Sequence, residues 1–458
     1  MTIPNSPFRR PHPLILLALV LLATASTAFL LHARAAQGQA YYVAPDGNNS
    51  SGDGSVERPW ATITHAVNSV PDGSTILVEP GTYVGEVRLD RIFTTGITIS
   101  SQTPYQAKLR NLPGEKGVRS FCGRAITLEG FDIAHEGANP IDNLVHIQAT
   151  DGVDATSGAP CATREITVRG NIIHDSLNND LLKINNGAQQ ITVTGNLFYN
   201  QRGSDEHIDI NSVINVVVQD NIFLNDPDNG TQPHAFIVVK DSNDNDDGLT
   251  GTRDITLRRN VFLGWAGSVG YGFIQIGEDG KPYYEAQNVL VENNLLLHHS
   301  VNQMNAPFAV MGSRDVTIRN NTFVGDGPTG AWLRVYRFDQ NQPAENVRFF
   351  NNIWSRPPVA STASRARRRA RSAVTRSTAI STGMVANPSP LMRTRRSMST
   401  MMGAPCWTTP RCRAYLASCR RSGMRGKAAS PMAQRASRAP LPTWGAATAP
   451  CRTAARPA

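Results

Sequence analysis

Two short segments hold the side chains best suited to acid–base chemistry. NNDLLKINNG, residues 178–187, contains Asp180 and Lys183; RGSDEHIDIN, residues 202–211, contains Asp205, His207 and Asp209. A lysine takes a proton from carbon only as the free amine. That needs burial, or nearby positive charge, to lower its pKa. Asp209 with Asp205 or Asp180 offers the hard oxygen donors that calcium prefers. His207 lies two residues before Asp209, on the same face of an alternating strand, where it could donate a proton or bind an anion. Arg334, in WLRVYRF, could clamp a carboxylate. Plainer readings stand beside these. A carboxylate next to Lys183 raises its pKa and makes an ordinary surface ion pair. A lone histidine is often only polar surface.

Other stretches carry acid or aromatic groups. In DSNDNDDGLTGTRD, residues 241–254, Asn243, Asn245, Asp247, Gly248 and Asp254 fall near the spacing of a calcium loop. A solvated Asp/Asn loop reads equally well. Asp226 and Asp228 add acid one repeat earlier. Trp265, Tyr271, Tyr283, Tyr284, Trp332 and Tyr336 cluster late in the chain. They could line a sugar-binding surface or anchor core and loops.

A repeating pattern must position these groups. ITLEGFDIAH from Ile126, ITVRGNIIHD from Ile166, ITVTGNLFYN from Ile191 and VVVQDNIFLN from Val216 share one layout. So do ITLRRNVFLG from Ile255, VLVENNLLLH from Val289, VTIRNNTFVG from Val316 and VRFFNNIWS from Val347. Each is a short alternating β-branched run, a polar pair that in most ends in Asn, and a second apolar run. Asn171, Asn196, Asn221, Asn260, Asn294, Asn321 and Asn352 recur at spacings of 25, 25, 39, 34, 27 and 31. A period near 25 with insertions marks a solenoid, and no helical period runs through it.

The pattern predicts an all-β chain, a parallel β-helix of about ten coils over residues 41–355, roughly 48 Å long. The Asn at each bend is expected to adopt a left-handed backbone and to bond its counterparts up the stack. PWATITHAVNSV, residues 59–70, has helical spacing and predicts a short N-terminal capping helix. Aligning the coils places His146, Lys183, Asp209, Val238 and Gln275 in one outward row, with Arg334 further along it. Such a row could follow an extended sugar chain.

The opening YYVAPDGNNSSGDGSVERPWATITHAVNSVPDGSTILVEPGTYVGEV resembles that of right-handed β-helix proteins of the pectate-lyase-like superfamily. Within that superfamily the chain is most similar to family 9 polysaccharide lyases, and NNDLLKINNG resembles the strand that carries their catalytic lysine. The resemblance implies calcium-assisted β-elimination on an acidic polysaccharide. Lys183 would be the base, Asp180, Asp205 and Asp209 the metal ligands, and Arg334 a substrate clamp. The same scaffold hosts non-catalytic carbohydrate-binding proteins, glycosidases and uronate epimerases, so those alternatives remain open. The Gly-His-Gly and Arg-x-Lys signatures of polygalacturonases are missing, as are GxSxG, HExxH, CxxC and a phosphate loop.

The two ends differ from this body. Arg9 and Arg10 precede an apolar run from Leu14 to Leu31 and small-residue sites ending at Ala35 and Ala40. Residues 1–40 read as a signal peptide, with a retained signal anchor as the alternative. Export implies a periplasmic or extracellular monomer. It also makes Cys122 and Cys161 a plausible disulfide, with two buried thiols as the other possibility. Residues 356–458 hold 19 Arg, Lys427 and no acid, a charge of +20 against −11 for residues 1–355. The whole-chain net charge of +9 is therefore no argument for nucleic-acid binding. The tail reads as the product of a shifted frame near residue 356; a genuine basic arm is the alternative.

Overall fold

The computed structural model describes residues 38–355, apart from 113–114, 137–141, 151–153, 155–157, 177–178, 202–205, 225–233, 243–250, 266–270, 300–302, 326 and 328, and also residues 375–376. The N-terminal apolar run and nearly all of the Arg-rich tail lie outside these residues. No helix among the described residues is long and apolar enough to cross a membrane.

Three long sheets of in-register parallel strands wind about one axis, so the chain is a right-handed parallel β-helix. Sheet A has eleven strands, from Ala40–Val43 to Arg348–Phe350. Ala40–Val43 is one strand more than the repeats count, and it pairs with Thr75–Val78. Sheet B starts at Gly81–Val84 and runs through Ile353–Ser355, to which Thr375–Arg376 adds antiparallel. Sheet C has nine strands, from Val87–Arg88 to Leu333–Tyr336.

Each coil places its β-branched residues inward. Ile126, Ile166, Ile191, Val216, Ile255, Val289 and Val316 are all buried in sheet A. From sheet B, Phe198, Phe223 and Phe262 stack along the axis at 5.0 and 4.8 Å. The first coils are covered by the helix Ile63–Ser69, capped by Thr62, with Ile63, Ala66 and Val67 turned into the core.

The Asn ladder forms inside the bend between sheets A and B. Asn196 donates its backbone N–H to Asn221 Oδ1 at 2.9 Å, and its own Oδ1 accepts from the Asn171 N–H at 2.9 Å. The same bonds link Asn221 to Asn260, Asn294, Asn321 and Asn352. The left-handed residue is the one before each Asn, a correction to the reading above. Gly170, Gly195, Asp220, Arg259, Asn293, Asn320 and Asn351 have φ between 54° and 67°. This explains the polar pair. Its first member makes the turn, and its second satisfies the buried amides the turn exposes.

Cys122 and Cys161 are bonded, with Cα atoms 4.5 Å apart, and tie the start of one coil to the next.

Candidate functional site

The expected row lies on the outer face of sheet C. His146 pairs with Lys183, Lys183 with Asp209, Asp209 with Val238, and Val238 with Gln275. Ala309 pairs with Arg334 further along, so Arg334 does stand in this row. It is five rungs from Lys183, about 24 Å at the strand spacing. The two side chains are therefore too far apart to meet on one sugar unit. Its guanidinium lies 4.4 Å from the centre of the Tyr336 ring.

The middle of the row is a buried charge cluster. Lys183 Nζ hydrogen-bonds Asp209 Oδ2 and lies 3.6 Å from Asp180 Oδ2. Glu206 completes a group with Asp180 and Asp209 in which one carboxylate oxygen from each lies within 4.8 Å of the others. All three residues are buried. Asp205 falls outside the described residues. Glu206 is the acid that this group contains from that segment, and sequence alternation did not single it out.

A second lysine was also missed. Lys240 lies two residues past Val238 on the same strand and therefore on the same outer face. Its Nζ is 3.8 Å from Asp209 Oδ2, 2.7 Å from Glu278 Oε2 and 3.8 Å from Asp279 Oδ1. Gln275 Nε2 donates to the other Glu278 oxygen at 2.9 Å. His234 Nδ1 lies 3.3 Å from Glu206 Oε1, and its ring stacks on Tyr271 at 4.2 Å.

These contacts set the protonation states. Burial alone would lower the pKa of Lys183, but Asp209 and Asp180 outweigh it and hold the ammonium above the ordinary lysine value. Lys240 is held up the same way by Asp209 and Glu278. Burial would raise the pKa of Asp209; Lys183 and Lys240 bring it below the usual range. Burial dominates for Glu278 and raises its pKa. His146, one rung before Lys183, is pushed down to about 4 by burial, and its Nε2 donates to Asn185 Oδ1 at 2.9 Å.

His207 is not part of the surface. It is wholly buried, 4.7 Å from the Phe236 ring and 6.2 Å from the Phe223 ring, and burial drives it down to about 3. The bend into sheet C explains the error, because the chain turns there and Ile208 also faces inward. Strict alternation holds only within a strand.

Of the possible calcium loop, Asn243, Asn245, Asp247 and Gly248 lie outside the described residues, as do Asp226 and Asp228. Asp254 accepts from Asn288 Nδ2 at 2.6 Å at the edge of sheet A. Trp265 is buried in the core, whereas Trp332 is 38% exposed at the last coils.

The donor set fits a hard cation. It has three carboxylates in one small volume, and Asp209 Oδ1 is buried with no hydrogen-bond partner among the described residues. The fit has one strain, since Lys183 already holds the other Asp209 oxygen.

No protein-family model matches the sequence. No curated protein matches it either. Among solved structures the chain is similar to XylC in complex with xylose, at 12% identity over 69% of this chain and 75% of that one, TM-score 0.43. It is similar to pectate lyase Pel9A, at 15% identity over 67% and 78%, TM-score 0.36. It is also similar to an alginate lyase from Paenibacillus sp. str. FPU-7, at 15% identity over 62% and 96%, TM-score 0.34.

Proposed function

We propose that this β-helix acts on an acidic polysaccharide by β-elimination at the sheet C face, and that it does so as an exported protein. The observation that carries the reading is the close group of Asp180, Glu206 and Asp209 beside Lys183 on an outward, rung-by-rung row.

Asp180, Glu206 and Asp209 would hold calcium. When bound, calcium supplies positive charge for a uronate carboxylate and for the charge that builds on it as the C5 proton leaves. Lys183 is the base. As an ion-paired ammonium it cannot accept a proton. Once the three carboxylates are engaged elsewhere, their pull on Lys183 is relieved and it can release its proton to solvent. The neutral amine then takes the C5 proton and the C4–O4 bond breaks; O4 departs with the neighbouring sugar and takes a proton from solvent, and the uronate is left with a C4=C5 double bond at the new non-reducing end of its own fragment. Neutral His146 and Asn185 hydrogen-bond each other beside the amine and add no charge to it. Gln275, Ala309 and Arg334 extend the row past the site and would meet later sugar units.

One observation favours a second reading. Lys183 bonded to Asp209 is complete as an ion pair, so the face could bind carbohydrate without catalysis. Pectate, alginate and glycosaminoglycans incubated with the full chain, with calcium or with chelator, decide between them. A calcium-dependent rise in ultraviolet absorbance, lost in Lys183→Ala, supports elimination. Reducing ends without that absorbance indicate a hydrolase. Binding without either product supports the non-catalytic solenoid.

A further inference from the structure

Glu285 lies outside the charge cluster, at the end of EDGKPYYE, residues 278–285, where the chain enters the sheet A strand Ala286–Glu292. It is fully buried, and five N–H groups meet its carboxylate. One carboxylate oxygen accepts from the backbone of Glu278 at 2.8 Å and of Asp279 at 2.9 Å. The other accepts from the backbone of Gly280 at 2.7 Å and of Lys281 at 3.2 Å, and from Asn341 Nδ2 at 2.7 Å. Four consecutive amides aimed at one carboxylate fix the path of that turn. The 338–342 segment closes it from the other side, with Gln340 N–H donating to Gly280 O at 2.9 Å.

The turn determines where two acids point. Glu278 and Asp279 reach Lys240 at 2.7 and 3.8 Å. Lys240 is the cation nearest the cluster after Lys183, 3.8 Å from Asp209 Oδ2. Asp209 Oδ1 has no hydrogen-bond partner among the described residues. A lysine freed from Glu278 and Asp279 would close on it, because Coulomb attraction in a buried site is strong and the side chain is long.

We propose that Glu285 is a positioning residue for the cation site. By fixing the 278–281 turn, it keeps Lys240 on Glu278 and Asp279 and leaves Asp209 open to a metal ion. The inference rests on the reading of Asp180, Glu206 and Asp209 as the cation-holding group.

Calorimetric titration of the full chain with calcium alone tests it. In Glu285→Gln the side-chain amide presents N–H groups to N–H groups, so the cradle is lost. Calcium affinity should fall at least about tenfold. Glu278→Gln frees Lys240 without touching the buried cradle, and should weaken binding by a similar factor even if Glu285→Gln does not fold. Adding Lys240→Met to either variant should return the affinity to within about threefold of wild type, which a merely structural role would not do. Unchanged affinity in both single variants, or a loss that Lys240→Met does not reverse, overturns the proposal. A wild-type chain that takes up no calcium overturns the cation reading itself, and this inference with it; the wild-type trace keeps the two failures apart.

Discussion

Asp209→Asn separates a metal ligand from a structural ion pair. Asp209 is 1% exposed, bonded to Lys183 and 3.8 Å from Lys240. The amide keeps the shape and removes the charge. Removing one partner from a buried pair costs about 3–5 kcal/mol when the other is left alone. Here neither lysine is left alone: Asp180 stays 3.6 Å from Lys183, and Glu278 stays 2.7 Å from Lys240. About 2 kcal/mol is therefore the expected loss in chelator. In calcium at about 100 times the dissociation constant, the wild-type chain gains about 2.7 kcal/mol. A variant that binds roughly a hundredfold more weakly gains only about 0.4 kcal/mol. The gap between the two proteins should thus roughly double when calcium is added. Urea unfolding followed by tryptophan fluorescence, with chelator and with calcium, measures both gaps. An equal gap in the two conditions would refute Asp209 as a ligand, even if the variant is unstable.

Three further outcomes follow from the same geometry. Lys183→Arg should keep the ion pair and the calcium-dependent stabilisation but lower elimination by about 10²–10⁴, since a guanidinium cannot become a base; a rate above about a tenth of wild type rules Lys183 out. Acid should destabilise the fold through its buried neutral histidines. His207 and His146 titrate at about 3 and about 4 when folded, well below the ordinary value, so the folded state binds fewer protons. Their contribution is complete above about pH 6.5 and is lost as pH falls toward the folded values, by up to about 3 kcal/mol each at pH 4. His207→Phe should flatten part of that loss in urea titrations across pH, and an unchanged acid limb contradicts the assignment. Asn221→Ala should cost about 3 kcal/mol, because it strips partners from Asn196, Val193 and Asn260 in a buried ladder. Asn352→Ala, which ends the ladder, should cost less in the same denaturation assay.

Most of the fold was legible because a parallel β-helix writes its register into the chain. Ile126, Ile166, Ile191 and Val216 name their row, and Asn171, Asn196 and Asn221 after the last three name the bend. The pairing of Lys183 with Asp209 followed from that alignment alone. What failed, failed at corners. His207 and Glu206 sit where sheet C begins, and there the period of two no longer reports which side is inward. Lys240 was within reach, since it shares the strand and face of Val238. Glu278 and Glu285 were not. Glu278 meets Lys240 and Gln275 from just past a sheet C strand, and Glu285 is held by a turn and by Asn341, 56 residues later; no repeat links those positions.

The charge count gives the cluster its meaning. Asp180, Glu206, Asp209, Glu278 and Asp279 crowd the outer face of sheet C against Lys183 and Lys240. A set of ion pairs kept only for stability would balance, since unpaired buried charge is costly and apolar residues would serve as well. Here five acids meet two lysines, and Asp209 keeps one buried oxygen with no hydrogen-bond partner among the described residues. Two positive charges at that point would nearly neutralise the face. They would also weaken the repulsion of an approaching polyanion by an acidic body of this kind. Under the proposed function the cluster is half of a site whose other half is a divalent ion and a uronate.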